Sequence, residues 1–305
     1  MNQPQPLKIG IELPYNYVTQ KGSILGVTGS GKSNGAGCIM EEMAKQDIPF
    51  ILADVAGAHK GITETYPKVK YVDCHDYAEP SEVYHAMLKL INNPSQSFIV
   101  DLHHYNDKDM QTVMSWLWVA LFDLHSQIRT PRHVFVEEAE VFCPQVNYDN
   151  AKTSLMALNR IMKRGRAFGL GCTLISQRPQ DVNKKTLSQS QCTFLLNLTG
   201  LQELKVVHEI LKSDPDRKEL VAKVERFQQG ECLIYSPSYL RGNQVFKFRK
   251  KETKHYGDTP ELMDPPKVHP KNIKVIKGPN RMMSKQVTAG MFLFSLALLF
   301  IAMTL

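Results

Sequence analysis

Short apolar runs recur along most of the chain, many ending on a polar or charged residue: GSILGV (22–27), PFILAD (49–54), KVKYVD (68–73), SFIVDL (97–102), HVFVEE (133–138), GCTLIS (171–176) and CTFLLNL (192–198). They are rich in β-branched and aromatic residues without strict alternation, which suits strands buried on both faces. Between them lie stretches with helical spacing: Lys32 to about Gln46, VYHAMLKLINN, DMQTVMSWLWVALFDLHSQI and SLMALNRIMKRGRAFG. Strand–helix alternation of this kind predicts an α/β fold with a mainly parallel sheet covered by helices. A mixed opening (7–22) precedes the first run. The stretch GECLIYSPSYLRGNQVFKFRKK (230–251) predicts a closing pair of strands. Its basic end reads as a charged edge that discourages stray pairing, with contact to DNA phosphates or anionic headgroups as the alternative.

The pattern changes near residue 256. Tyr256 to Gln286 is rich in Pro and Lys and reads as a tether. Val287 to Leu305 holds no charge in 19 residues. As a helix it would span about 28 Å, close to the roughly 30 Å hydrocarbon core of a bilayer. Lys271, Lys274, Lys277, Arg281 and Lys285 all lie upstream of it, which predicts a C-terminal transmembrane helix with the body of the chain on the cytoplasmic side. The expected plan is a lead-in (1–22), a main domain (23–256), a linker (257–286) and an anchor (287–305). A helix buried in an oligomer is the alternative for the last segment.

Composition adds less. A net charge of +7 allows an anionic partner but also fits a lysine-rich solvated surface. Six cysteines stand at Cys38, Cys74, Cys143, Cys172, Cys192 and Cys232 with no C-x-x-C pair, so no zinc site is expected and a reducing compartment is. The N-terminus has no apolar signal core.

The chemistry begins at GVTGSGKS. Gly26, Gly31, Lys32 and Ser33 fit G-x-x-x-x-G-K-[ST], placed after an apolar strand and before a helix. The turn, with Thr28, Gly29 and Ser30 inside it, aims backbone N–H groups at a polyphosphate. Lys32 reaches the β- and γ-phosphates, and Ser33 offers its hydroxyl to Mg²⁺. Hydrolysis also needs a metal-side acid and a base for water. Glu137 and Glu138, adjacent after VFV, supply both: Glu137 on the metal side and Glu138 at the water. Asp101, at the end of SFIVDL, is the rival for the metal side. Gln177, just past the strand that ends in LIS, is placed to sense the γ-phosphate. Arg160, Lys163, Arg164 and Arg166 cluster before that strand, as a plain basic helix end, a DNA-facing patch or an arginine offered to a neighbouring subunit.

The ordered set GVTGSGKS, ILADVAG, FIVDL, FVEEAE, KRGRAFGLGCTLISQRPQDV and GECLIY resembles the HerA–FtsK group of ATPases, closest to its HerA-like branch, over about residues 7–260. The resemblance implies a RecA-like P-loop NTPase fold, ATP and Mg²⁺ as cofactors, and a homo-hexamer or other ring that translocates double-stranded DNA. It makes Arg166, with Arg164 as second choice, the arginine reaching into the next subunit's site. HerA-type helicases usually carry an N-terminal β-barrel that docks a nuclease. The short lead-in here is closer to the packaging ATPases of membrane-containing viruses. The expected function is a membrane-anchored, DNA-stimulated ATPase that moves or packages DNA. The alternatives are a conjugation-like transfer ATPase or a membrane-bound nucleotide switch that moves no DNA. A small-molecule kinase is disfavoured because no lid segment is evident.

Overall fold

The computed structural model describes residues 5–146 and 151–257. In chain order the elements are β1 (Leu7–Lys8), β2 (Glu12–Leu13), β3 (Lys21–Leu25), α1 (Lys32–Lys45), β4 (Phe50–Asp54), α2 (Lys60–Thr65), β5 (Lys70–Asp73) and α3 (Pro80–Ile91). Then come β6 (Phe98–Asp101), α4 (Asp107–Ile128), β7 (Arg132–Val136), α5 (Ala139–Phe142), α6 (Ala151–Arg164) and β8 (Leu170–Ser176). The described chain closes with α7 (Lys184–Leu187), β9 (Cys192–Leu195), α8 (Leu201–Ile210), α9 (Arg217–Arg226), β10 (Glu231–Ser236) and β11 (Gly242–Lys247).

One nine-stranded sheet runs β11-β10-β9-β3-β8-β7-β4-β6-β5, and β1 with β2 forms a separate small hairpin. From β9 to β5 every pairing is parallel. β10 joins β9 and β11 antiparallel. The parallel strands of the centre are buried along their whole length, which explains their uninterrupted apolar runs. KVKYVD differs: β5 is the outer strand, and only Val72 within it is fully buried.

Two apolar cores lie on opposite faces of the sheet. One packs α1, α2, the hairpin and Phe248 against it through residues such as Ile39, Met43 and Ile62. The other packs α3 to α9 through Met87, Trp118, Phe142, Ile161 and Val224. Helix ends follow local rules. Asn106 caps α4 by accepting from the Asp109 N–H at 3.0 Å, and Pro80 opens α3.

The expected α/β architecture with a mainly parallel sheet is present. Three local features were not anticipated: the hairpin in the mixed opening, α8 and α9 between residues 198 and 230, and the end of β7 at Val136, before both glutamates. The tether beyond residue 257 and the apolar stretch 287–305 lie outside the described residues. Among the described residues no helix is long and apolar enough to cross a membrane. All six cysteines are buried free thiols.

Candidate active site at the carboxyl edge of the sheet

Every parallel strand of the sheet ends on the same edge, and the candidate residues follow those ends. The phosphate loop leaves β3 at the centre. Gly29 and Gly31 adopt φ of 78° and 104°, left-handed values that side chains with a Cβ resist. The loop is tied to its neighbours: Gly26 N–H donates to the Ser176 carbonyl at 3.3 Å and Val27 N–H to the Asn197 carbonyl at 2.9 Å. The Ser30 carbonyl accepts from Gly230 N–H at 2.9 Å. Thr28 and Gly29 are exposed at its tip. No side chain caps α1, so its first N–H groups are offered to an anion. Lys32 Nζ folds back on the Val27 carbonyl at 3.0 Å. Burial lowers its pKa, while Glu138, Glu137 and Glu140 pull the other way.

The strand order sets the candidate acids at different distances from the phosphate loop. β7 lies two places from β3, and β6 four. At about 4.8 Å per strand those are lateral offsets of roughly 10 Å and 19 Å. Asp101, at the end of β6, is engaged elsewhere: it accepts from His103 Nδ1 at 2.6 Å, from His103 N–H at 3.1 Å and from the Tyr71 hydroxyl. The pair after β7 is the one beside the phosphate loop.

Glu138 has φ of 42°, an unusual value for a residue with a Cβ, held where β7 turns into α5. Gln177 Nε2 donates to both of its carboxylate oxygens at 3.1 Å. Gln177 Oε1 accepts from the Thr28 hydroxyl at 2.5 Å. Phosphate loop, Gln177 and Glu138 therefore form one hydrogen-bonded chain. Glu140 adjoins it: burial and the neighbouring Glu138 push its carboxyl up to about 8.

Glu137 points to a different set of groups. Its Oε1 accepts from His59 Nε2 at 2.8 Å, with both side chains buried. Asp54, at the end of β4, accepts from Ala58 N–H at 3.1 Å and His59 N–H at 2.9 Å and lies beside Glu137. Burial and the Glu137 charge raise Asp54 to about 6. Burial alone would raise Glu137 too, but the charge and hydrogen bond of His59 outweigh it and lower the pKa.

The donor groups fit a nucleotide with Mg²⁺. Ser33 and Glu137 are oxygen donors, as that cation requires. Ser30 Oγ and Glu140 Oε2 are buried side-chain atoms without a hydrogen-bond partner. Among the described residues there is no cluster of three or more His, Cys, Asp or Glu able to hold a metal ion by themselves.

Arg166 is not in this constellation. It is exposed in the turn before β8, near Lys21 at the start of β3, whereas Gln177 follows the end of β8. The 7 residues of β8 put roughly 20 Å between the two ends. Arg164 is exposed at the same edge. Arg160 pairs with Asp123 at 3.0 Å and lies over the Phe122 ring. In the basic end of the closing strands Lys247 and Lys250 are exposed, whereas Arg249 is drawn onto the buried Glu41 and Glu42 at 2.7 and 3.0 Å.

Sequence reasoning missed Asp54, His59 and Glu140. Asp54 ends an apolar run as Asp101 does, and Glu140 completes the acidic run EEAE, so both carried a signal. His59 lies in a loop with none.

A profile of the helicase HerA central domain matches residues 3–77. The chain is 27% identical over 188 residues to the DNA double-strand break repair helicase HerA of Saccharolobus solfataricus, covering 59% of this chain and 36% of that protein. It is 32% identical over 104 residues to the DNA double-strand break repair helicase HerA of Pyrococcus furiosus, 34% of this chain and 18% of that one. The chain thus spans about a third or less of the length of these relatives. In structure it is similar to the genome packaging NTPase B204 from Sulfolobus turreted icosahedral virus 2, with a TM-score of 0.52 at 18% identity over 75% of this chain and 98% of that one. It is also similar to the bacterial conjugative coupling protein TrwBdeltaN70, with a TM-score of 0.63 at 9% identity over 83% and 90%. Sequence and fold together bear out the resemblance to the HerA–FtsK group of P-loop ATPases.

Proposed function

We propose that this chain is an ATP hydrolase that moves double-stranded DNA, in the manner of a genome-packaging motor, working as a ring and held to a membrane by residues 287–305. The observation that carries the reading is the hydrogen-bonded chain Thr28–Gln177–Glu138, which ties the phosphate loop to a carboxylate able to orient water. In this reading the loop N–H groups and Lys32 bind the phosphates, and Ser33 and Glu137 hold Mg²⁺ and its water shell. When bound, the cation would supply charge neutralisation at the phosphate oxygens. Glu138 accepts the proton of the attacking water, and Gln177 changes partner when the γ-phosphate leaves. The position of Arg166 at the opposite sheet edge supports its delivery to a neighbour's site, hence a ring. DNA as the moved partner is supported by what the HerA relatives are named for and by the excess of basic residues.

The test uses the full chain with phospholipid vesicles. ATP hydrolysis is measured with and without double-stranded DNA, with Lys32→Ala as the inactive control, and the vesicles are floated on a density gradient. Strong DNA stimulation and co-flotation are expected. Hydrolysis indifferent to DNA replaces the translocase with a nucleotide switch, and failure to float removes the anchor.

A further inference from the structure

The loop from Asp54 to Lys60 is built around one imidazole. His59 has no exposed surface, and its only hydrogen-bonded ring atom is Nε2, on Glu137 at 2.8 Å. Its Nδ1 has no hydrogen-bond partner. A side chain that merely filled this space would be apolar, since an unpartnered polar atom in the interior is costly. The backbone of His59 is fixed from both sides. Asp54 accepts the N–H groups of Ala58 and His59, while Tyr256 N–H donates to the Ala58 carbonyl at 3.2 Å. Close by, the chain at Lys254 runs so near α2 that a Cβ on Gly61 would lie 2.2 Å from its carbonyl oxygen. The loop has little room to move, so the ring is held on Glu137.

We propose that His59 is a positioning residue for the metal-side acid: its Nε2–H holds the Glu137 carboxylate in the orientation from which it meets the water shell of the nucleotide-bound cation. The inference rests on the assignment of Glu137 made above. Groups behind metal-site ligands act in this way by fixing ligand geometry, and their loss weakens metal affinity by roughly 10–100-fold.

The test measures Mn²⁺ binding by the electron paramagnetic resonance signal of the free ion, using the full chain with a non-hydrolysable ATP analogue. Analogue binding in EDTA is measured in parallel. His59→Ala is expected to weaken Mn²⁺ binding by about 10–100-fold and to leave analogue binding in EDTA unchanged. His59→Gln, which keeps an N–H donor, should recover most of the loss. Glu137→Gln checks the underlying assignment. If it leaves Mn²⁺ affinity at the wild-type level, Glu137 is not the metal-side acid and both readings fall. If it weakens Mn²⁺ binding while His59→Ala does not, only the role of His59 is overturned. A loss in His59→Ala that His59→Gln does not restore, or that extends to binding in EDTA, marks a folding effect and also overturns it.

Discussion

Burial and the neighbouring Glu138 disfavour the charge of Glu140 and raise its carboxyl to about 8. That gives stability a pH dependence of known sign. A carboxyl raised in the folded state stabilises fully below its ordinary value of 4.5 and loses that contribution as pH rises through about 8. His133 and His125 act oppositely. Burial lowers both to about 4, so their contribution is complete above 6.5 and is lost as pH falls. The opposing effects overlap below pH 6.5; above it Glu140 remains, joined by His59, which is raised by Glu137 and Asp54 against the effect of its burial. Between pH 6.5 and 8 the wild type should therefore lose roughly 1–2 kcal/mol. Glu140→Gln should remove most of that slope, measured as thermal midpoints at the two pH values. An unchanged slope in the variant would place the proton elsewhere. The run EEAE announced an acidic site but not which carboxyl would be raised, since that depends on what surrounds each one in space.

Beyond β11 the chain forms a strap across α1. Phe248 lies over Gly35, Asn34 Oδ1 accepts from Lys251 N–H at 2.9 Å, and Glu41 accepts from both the N–H and the hydroxyl of Thr253 at 2.8 Å. Arg249 is the centre of this latch, bonded to Glu41 and Glu42. Removing one partner of a buried ion pair leaves the other charge uncompensated, at a cost of about 3 kcal/mol. Arg249→Ala should lower the thermal midpoint by roughly 6–12 °C for a domain of this size. A shift of a degree or less would show the strap to be ornamental. The elements themselves were mostly legible: α1 and the central strands lie within a few residues of their apolar runs. α8 and α9 were not, because each is only 10 residues long and its apolar residues are interspersed with charged ones. The charges of KFRKK were visible in sequence. The partners of Arg249 on α1, some two hundred residues away, were not.

For the whole molecule, the sheet separates two candidate functions by its length. Nucleotide groups gather at the carboxyl edge, and Arg166 stands at the other, so within one chain it cannot reach its own site without unfolding β8. The proposed ring therefore predicts complementation between defective subunits. Arg166→Ala should lower hydrolysis on the order of 10³-fold, and Lys32→Ala should be inactive alone. Mixing the two should restore activity, because an intact phosphate loop on one subunit meets an intact arginine on its neighbour. Activity that stays absent in confirmed mixed oligomers would assign Arg166 a role on its own subunit's surface.

The sequence by itself determined the α/β alternation, the phosphate loop and the acid pair that follows the run HVFV. These are local consequences of apolar runs, of turns only glycine accepts, and of a loop that must expose N–H groups. Only the tertiary structure decided which acid lies beside that loop, that Gln177 joins Thr28 to Glu138, and that a histidine without any motif holds Glu137. Those outcomes depend on strand order, which brings together residues far apart in the chain and is set by the packing of the whole sheet.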